Sequence, residues 1–217
     1  MSTSINNGAR SMLKAGVLVG PLFVGLSLVL ALASQGFDLT KHEVSLLLNG
    51  DLGWIQMINF IAIGLLSIVC AVGLKRTLKS GRASKWGPIL LTVFGVLFII
   101  AAIFHPDGHH SFPLGASEGM LSPATAHAGV HGMAFSLLAV VTVINGFVFA
   151  RRWFAERRGR AIYSIVNSVA ILVFVGAGSG MVASGNGGLA LLGAAIAITF
   201  WVTAVAAFTL SDISKTK

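Results

Sequence analysis

Six runs of about 20 residues contain no Asp, Glu, Lys or Arg: 15–34, 54–74, 86–104, 127–150, 161–183 and 189–210. At a rise of about 1.5 Å per residue, a helix of this length crosses a hydrocarbon core about 30 Å thick. Lipid offers no hydrogen bonds, so the backbone must pair within each run, which makes the runs helices. The alternating polar positions of a β-barrel strand are absent from them. Only 10% of the 217 residues are charged, against roughly 25% in an ordinary soluble domain, too few to coat a water-facing surface. The expected fold is all-α: a polytopic six-transmembrane-helix bundle forming a single integral membrane domain over residues 1–217.

Charge sets the expected orientation. Arg10 and Lys14 precede the first run, a basic group from Lys75 through Arg82 to Lys85 joins the second and third, Arg151 to Arg160 join the fourth and fifth, and Lys215 and Lys217 follow the sixth. Together these are 14 of the 15 basic residues, and all fall on one side. Lys41 alone falls on the other, together with Asp38, Glu43, Asp51, Asp107 and Glu118. The positive-inside rule then places both termini in the cytoplasm of a multi-pass cell-membrane protein. The net charge of +8 belongs beside anionic lipid headgroups and does not mark a nucleic-acid partner. Ala31 and Ala33 before Ser34 also sketch a signal-peptide cleavage site, but an apolar run of about 20 residues exceeds a signal core and favours a retained helix.

Polar residues inside the runs have structural roles to fill. Asn59, Asn145 and Asn167 are suited to bonding between helices, and Gly16 with Gly20, or Gly176 with Gly180, to close helix approach. Cys70 reads as a small buried apolar residue. Trp54, Trp86 and Trp153 stand at run ends, where indoles anchor at the headgroups.

The six histidines carry the chemical interest, since all fall on the side opposite the basic loops. His127 and His131 are spaced i, i+4, which stacks two imidazoles on one helix face as zinc-binding helices do. Pro106 stops the third helix, and Pro106-Asp107-Gly108 supplies a turn that holds His105 and Asp107 at its mouth. The third and fourth helices are antiparallel neighbours, so His105, Asp107, His127 and His131 are expected to converge. His109 and His110 are expected to be solvated. Thr40 and Glu43 form a capping-box pattern, so Lys41 to Asn49 should form a short interfacial helix carrying His42 and Ser45 over the outer mouth, with Asp51 beyond it.

His42-Glu43-Val44-Ser45-Leu46 with Gly50, Gly53 and Trp54, Pro21 in the first run, Pro106-Asp107, and His131-Gly132-Met133-Ala134-Phe135 together resemble an uncharacterised family of six-span prokaryotic membrane proteins, domain of unknown function 998. That family implies a fold and no activity. A more distant likeness is to the CREST group of membrane hydrolases, which implies Ser45, Asp107, His127 and His131 around zinc. That group has seven spans and holds its motif within helices, whereas Asp107 here stands in a turn.

Two function classes follow. One is a zinc-dependent hydrolase of a lipid or amphipathic substrate at the outer leaflet, with His105, His127 and His131 as ligands, Asp107 as ligand or general base and Ser45 beside them; zinc would bring its bound water to a pKa of about 7. The other is a metal-free membrane protein that binds, senses or supports. A proton-coupled transporter would need an ionisable group near the midplane, which no run supplies. Phosphate-binding loops are absent, and histidines confined to one leaflet leave room for at most one haem.

Overall fold

The computed structural model describes residues 2–81 and 83–215; Arg82 and Lys217, two of the basic residues counted above, lie outside it. It contains α1 (Ser2–Val17), α2 (Val19–Ala33), a 3-10 turn (Val44–Asn49), α3 (Gly53–Thr77), α4 (Ala83–Ile103), α5 (Ala126–Glu156), α6 (Arg158–Met181), a second 3-10 turn (Val182–Ser184) and α7 (Gly188–Lys215). Six segments are long and apolar enough to cross a membrane, from Asn7–Ala33 to Gly188–Ser214. The molecule is a multi-pass helical bundle whose apolar outer faces associate with a lipid bilayer.

The first span is one crossing made of two helices, and Pro21 explains the break. Proline has no N–H for the carbonyl four residues earlier, which is that of Val17. Thr203 of α7 fills the gap: its hydroxyl donates to Val17 O at 3.2 Å and accepts from Gly20 N–H at 3.0 Å. A methyl group on Gly16 would meet Cys70 and Ala206, and one on Gly20 would meet Phe200, so this glycine pair does permit close packing. A methyl group on Gly176 or Gly180 would meet nothing within 4 Å among the described residues, so this pair marks no close helix approach. A close approach of two spans lies elsewhere, at Gly64 of α3 and Gly95 of α4. There each carbonyl oxygen stands where the other residue's Cβ would be.

Each asparagine donates across to another helix: Asn59 to Phe23 O at 3.2 Å, Asn145 to Gly87 O at 3.2 Å, Asn167 to Ala197 O at 3.1 Å. Cys70 is fully buried. Trp54 and Trp86 are exposed, as anchors should be. Trp153 departs from the expectation: it is buried, with its ring 5.1 Å from Phe149 and 5.4 Å from Phe208, because it stands on the face of α5 that meets α7.

The first loop is also corrected in detail. Only Val44–Asn49 is helical, as a 3-10 turn, and the capping box is not made. Thr40 instead donates both its N–H and its hydroxyl to Asp38 Oδ1, and the Glu43 side chain turns toward another loop. Val44, Leu46, Leu47 and Leu48 are buried, so the turn plugs the end of the bundle instead of lying flat at the interface. Gln56 of α3 holds it by donating to Val44 O at 3.1 Å.

Candidate functional site

The polar residues at this end are organised by a turn that the sequence did not announce. His109 and Phe112 exchange both backbone hydrogen bonds, at 3.1 Å each, and the two residues between them have positive φ, 51° at His110 and 64° at Ser111. Left-handed backbone at two successive non-glycine residues is costly and persists only where surrounding contacts impose it. Those contacts are visible. His42 Nε2–H donates to His110 O at 3.0 Å, while His42 Nδ1 accepts from Asp38 N–H at 3.0 Å. His110 in turn donates from Nε2 to Val182 O at 2.7 Å, and Asn49 donates to Pro106 O at 2.8 Å. Phe37 and Phe112 pack on the His42 ring with centroids at 5.2 and 5.5 Å. His42 is therefore a buried strut that pins one loop to another. Burial lowers its pKa from the ordinary imidazole value.

Under this strap lies a cavity of about 250 Å³, just below the roughly 300–1,000 Å³ usual for ligand sites. Its deep part is aromatic: Phe23, Phe60 and Phe98 line it, with mutual centroid distances of 5.2 to 5.4 Å. Phe135, Leu138 and Ile198 add apolar walls from α5 and α7. Its polar end is lined by Glu43, Ser45, Asp107, His109 and His131.

Three of the five expected site residues, Ser45, Asp107 and His131, thus face one cavity, while His105 and His127 are not among its lining. His127 is exposed and rests on Phe104, ring centroids 5.2 Å apart. Asp107 takes the backbone N–H of Thr125 at 2.8 Å and its hydroxyl at 2.6 Å, which ties the loop to the start of α5. Thr125 then caps that helix by accepting from Ala128 N–H at 3.2 Å. His131 is buried, and its Nδ1 faces two carbonyls, Phe104 O at 2.7 Å and Ala101 O at 3.0 Å. Carbonyls only accept, so the proton sits on Nδ1 and Nε2 remains an acceptor. Among the described residues no three His, Cys, Asp or Glu side chains are grouped to hold one metal ion. Of the anticipated set, Asp107 bonds Thr125, His127 rests on Phe104 and His131 bonds the carbonyls of Phe104 and Ala101.

The pair that sequence reading missed is Glu43 with His109. Their side chains, 66 residues apart in sequence, meet at Oε1 and Nε2, 3.2 Å apart. Far from being solvated, His109 has a side chain only 4% exposed, and His110 is partly buried. Glu43 Oε2 and His109 Nδ1 are both buried without a partner. The capping-box pattern at Thr40 gave Glu43 a local duty that concealed this one.

Fold and site together define a polytopic membrane protein with a largely apolar cavity at one end of its bundle. The chain belongs to the family described as a protein of unknown function (DUF998), whose model matches residues 17–208. No curated protein and no solved structure matches it.

Proposed function

We propose that the protein binds a single-chain amphiphile in this cavity, chain end toward Phe23, Phe60 and Phe98 and head toward Glu43, Ser45, Asp107, His109 and His131. The observation that carries the reading is the gradient within one cavity, from an aromatic floor among membrane-crossing helices to a rim of ionisable groups. A cavity serving only as a packing defect would have no use for polar groups left unpaired at its edge. The division of basic residues supports an orientation with this end at the outer leaflet of the cell membrane and both termini cytoplasmic.

The test is photolabelling of the reconstituted full-length protein by a long-chain amphiphile with a diazirine near its chain end. Labelled peptides should come from the cavity floor on α2, α3 and α4, and Leu138→Trp, which fills the cavity, should reduce that labelling at least tenfold. Labelling spread over the lipid-facing surface of α6 and indifferent to Leu138→Trp would overturn the reading.

A second reading is hydrolysis of a bound ester or amide. It is favoured by the presence of the Ser45 hydroxyl, Asp107 and the His131 Nε2 acceptor on the same cavity. Turnover lost in Ser45→Ala or His131→Ala, measured with metal content determined beside it, would establish it and would decide whether zinc takes part.

A further inference from the structure

We infer that the polar end of the cavity selects an amphiphile whose head is a primary ammonium, in preference to one ending in phosphate or carboxylate. The inference rests on the amphiphile reading above and names the chemistry of the head.

The first ground is the balance of charge. Two carboxylates, Glu43 and Asp107, line the cavity, and no Lys or Arg does. The nearby Lys41 is exposed and pairs with Asp38 at 3.9 Å. If His109 is protonated it balances Glu43 alone, and Asp107 still leaves the site negative. An anionic head would lose its water and gain repulsion in a region of low dielectric.

The second ground is the balance of donors and acceptors. An ionised Glu43 accepts from His109 Nε2–H through Oε1, which leaves Oε2 buried and without a donor. With that proton on Nε2, a neutral His109 offers Nδ1 as an acceptor, and this atom too is buried and unpartnered on a side chain only 4% exposed. His131 spends its proton on Phe104 O and Ala101 O, so its Nε2 is a third acceptor. The rim is thus rich in acceptors, with the Ser45 hydroxyl as its adaptable member. An ammonium carries three donors and no acceptor, the complement of this set. A buried carboxylate oxygen without a donor is costly to leave unpaired, and an ammonium supplies both the hydrogen bond and the charge.

The experiment uses the full-length protein in phosphatidylcholine nanodiscs, photolabelled with a diazirine-bearing long-chain amine. Dodecylamine, dodecanol and dodecyl phosphate compete for the label with one chain and three heads. Dodecylamine should displace it at a concentration at least tenfold lower than dodecanol, and dodecyl phosphate should be the poorest. Glu43→Gln should erase the advantage of the amine while leaving competition by the alcohol in place. Lysophosphatidylethanolamine separates the sources: weaker competition than dodecylamine assigns a free amine, equal competition an ethanolamine headgroup, and either supports an ammonium.

Equal competition by all three dodecyl compounds, or preference for the phosphate, overturns the inference and leaves the cavity as an amphiphile site. Labelling that Leu138→Trp does not reduce overturns the amphiphile reading itself. The comparison of heads on the unaltered protein needs no variant, so it decides even if Glu43→Gln fails to fold.

Discussion

The two ends of the bundle solve the problem of polar residues in opposite ways. At the basic end the connections are short, and α5 passes into α6 through Arg157 alone. Charges there face outward or pair at the surface. Arg160 donates to Asp212 at 2.7 Å and to Ser211 at 2.9 Å, yet the Asp212 side chain is 41% exposed. At the histidine end the connections between α2 and α3 and between α4 and α5 are long, and they fold inward. Three of the six histidines, His42, His109 and His131, are buried there. Their partners are mostly backbone carbonyls and amides far away in sequence. Water pays the electrostatic cost at one end; at the other the protein must supply every partner, and where it fails to, at Glu43 Oε2 and His109 Nδ1, a cavity lies alongside.

Replacing His42 by Ala should give the largest effect. It removes a buried donor to His110 O, an acceptor for Asp38 N–H and the packing between Phe37 and Phe112. About 2–4 kcal/mol of stability should be lost, read by thermal or denaturant unfolding in detergent. A loss no larger than that of a surface charge would dissolve the contrast between the ends.

Glu43→Ala should come next, at about 1–3 kcal/mol, since it strands a buried His109 with neither ring nitrogen bonded. A double-mutant cycle with His109→Ala should show the two losses to be less than additive. Additive losses would mean that the pair does not act as one unit.

Acidification sharpens the comparison in another way. In the folded cap His42 Nδ1 already accepts a hydrogen bond, so a second proton must displace Asp38 N–H. Burial accordingly lowers its pKa, outweighing the favourable charges of Asp38 and Glu43 and acting with the unfavourable His109; the His110 carbonyl also opposes the shift. An opened cap therefore binds the proton more readily than a closed one. Cap stability is full above the ordinary imidazole value of about 6.5 and declines as pH falls from there toward the folded pKa. Hydrogen exchange of segments 37–49 and 105–113, corrected for its intrinsic pH dependence, should quicken between pH 7.5 and 5.5. The basic end should show no such change.

The smallest effect should be that of Arg160→Ala, about 1 kcal/mol, because Asp212 is 41% exposed and the pair is screened by water and salt through it, although the Arg160 side chain is 14% exposed and lies over Phe208. Raising the salt concentration should narrow the gap between variant and parent. A loss comparable to that of His42→Ala would place a strut at both ends.

Much of the fold was legible in the sequence because an apolar run needs no particular partner to declare itself. Spans such as 54–74 and 86–104 are specified by local composition alone, and even the break in the first span could be traced to Pro21. The site was legible only where its geometry is local. His131 was found from helical spacing, but His127, its i, i+4 companion, faces away from the cavity, since that spacing fixes a common side and not a common environment. Glu43 and His109 escaped because their meeting depends on the left-handed turn at His110 and Ser111, which has no glycine to announce it. That turn exists only after His42 and Val182 have taken hold of it, and those contacts are formed by tertiary structure.

The crossing of α3 and α4 at Gly64 and Gly95 has a mechanical consequence. Backbone lies against backbone there, flanked by the Ile68 and Ile99 side chains, and neither glycine has a side chain of its own to change rotamer. The two helices are joined as rigidly as a riveted seam, and Phe60 and Phe98, one on each, ride together as a fixed back wall. The walls that face them, Phe135 and Leu138 on α5 and Ile198 on α7, are side chains, and adjustment to a guest falls to them.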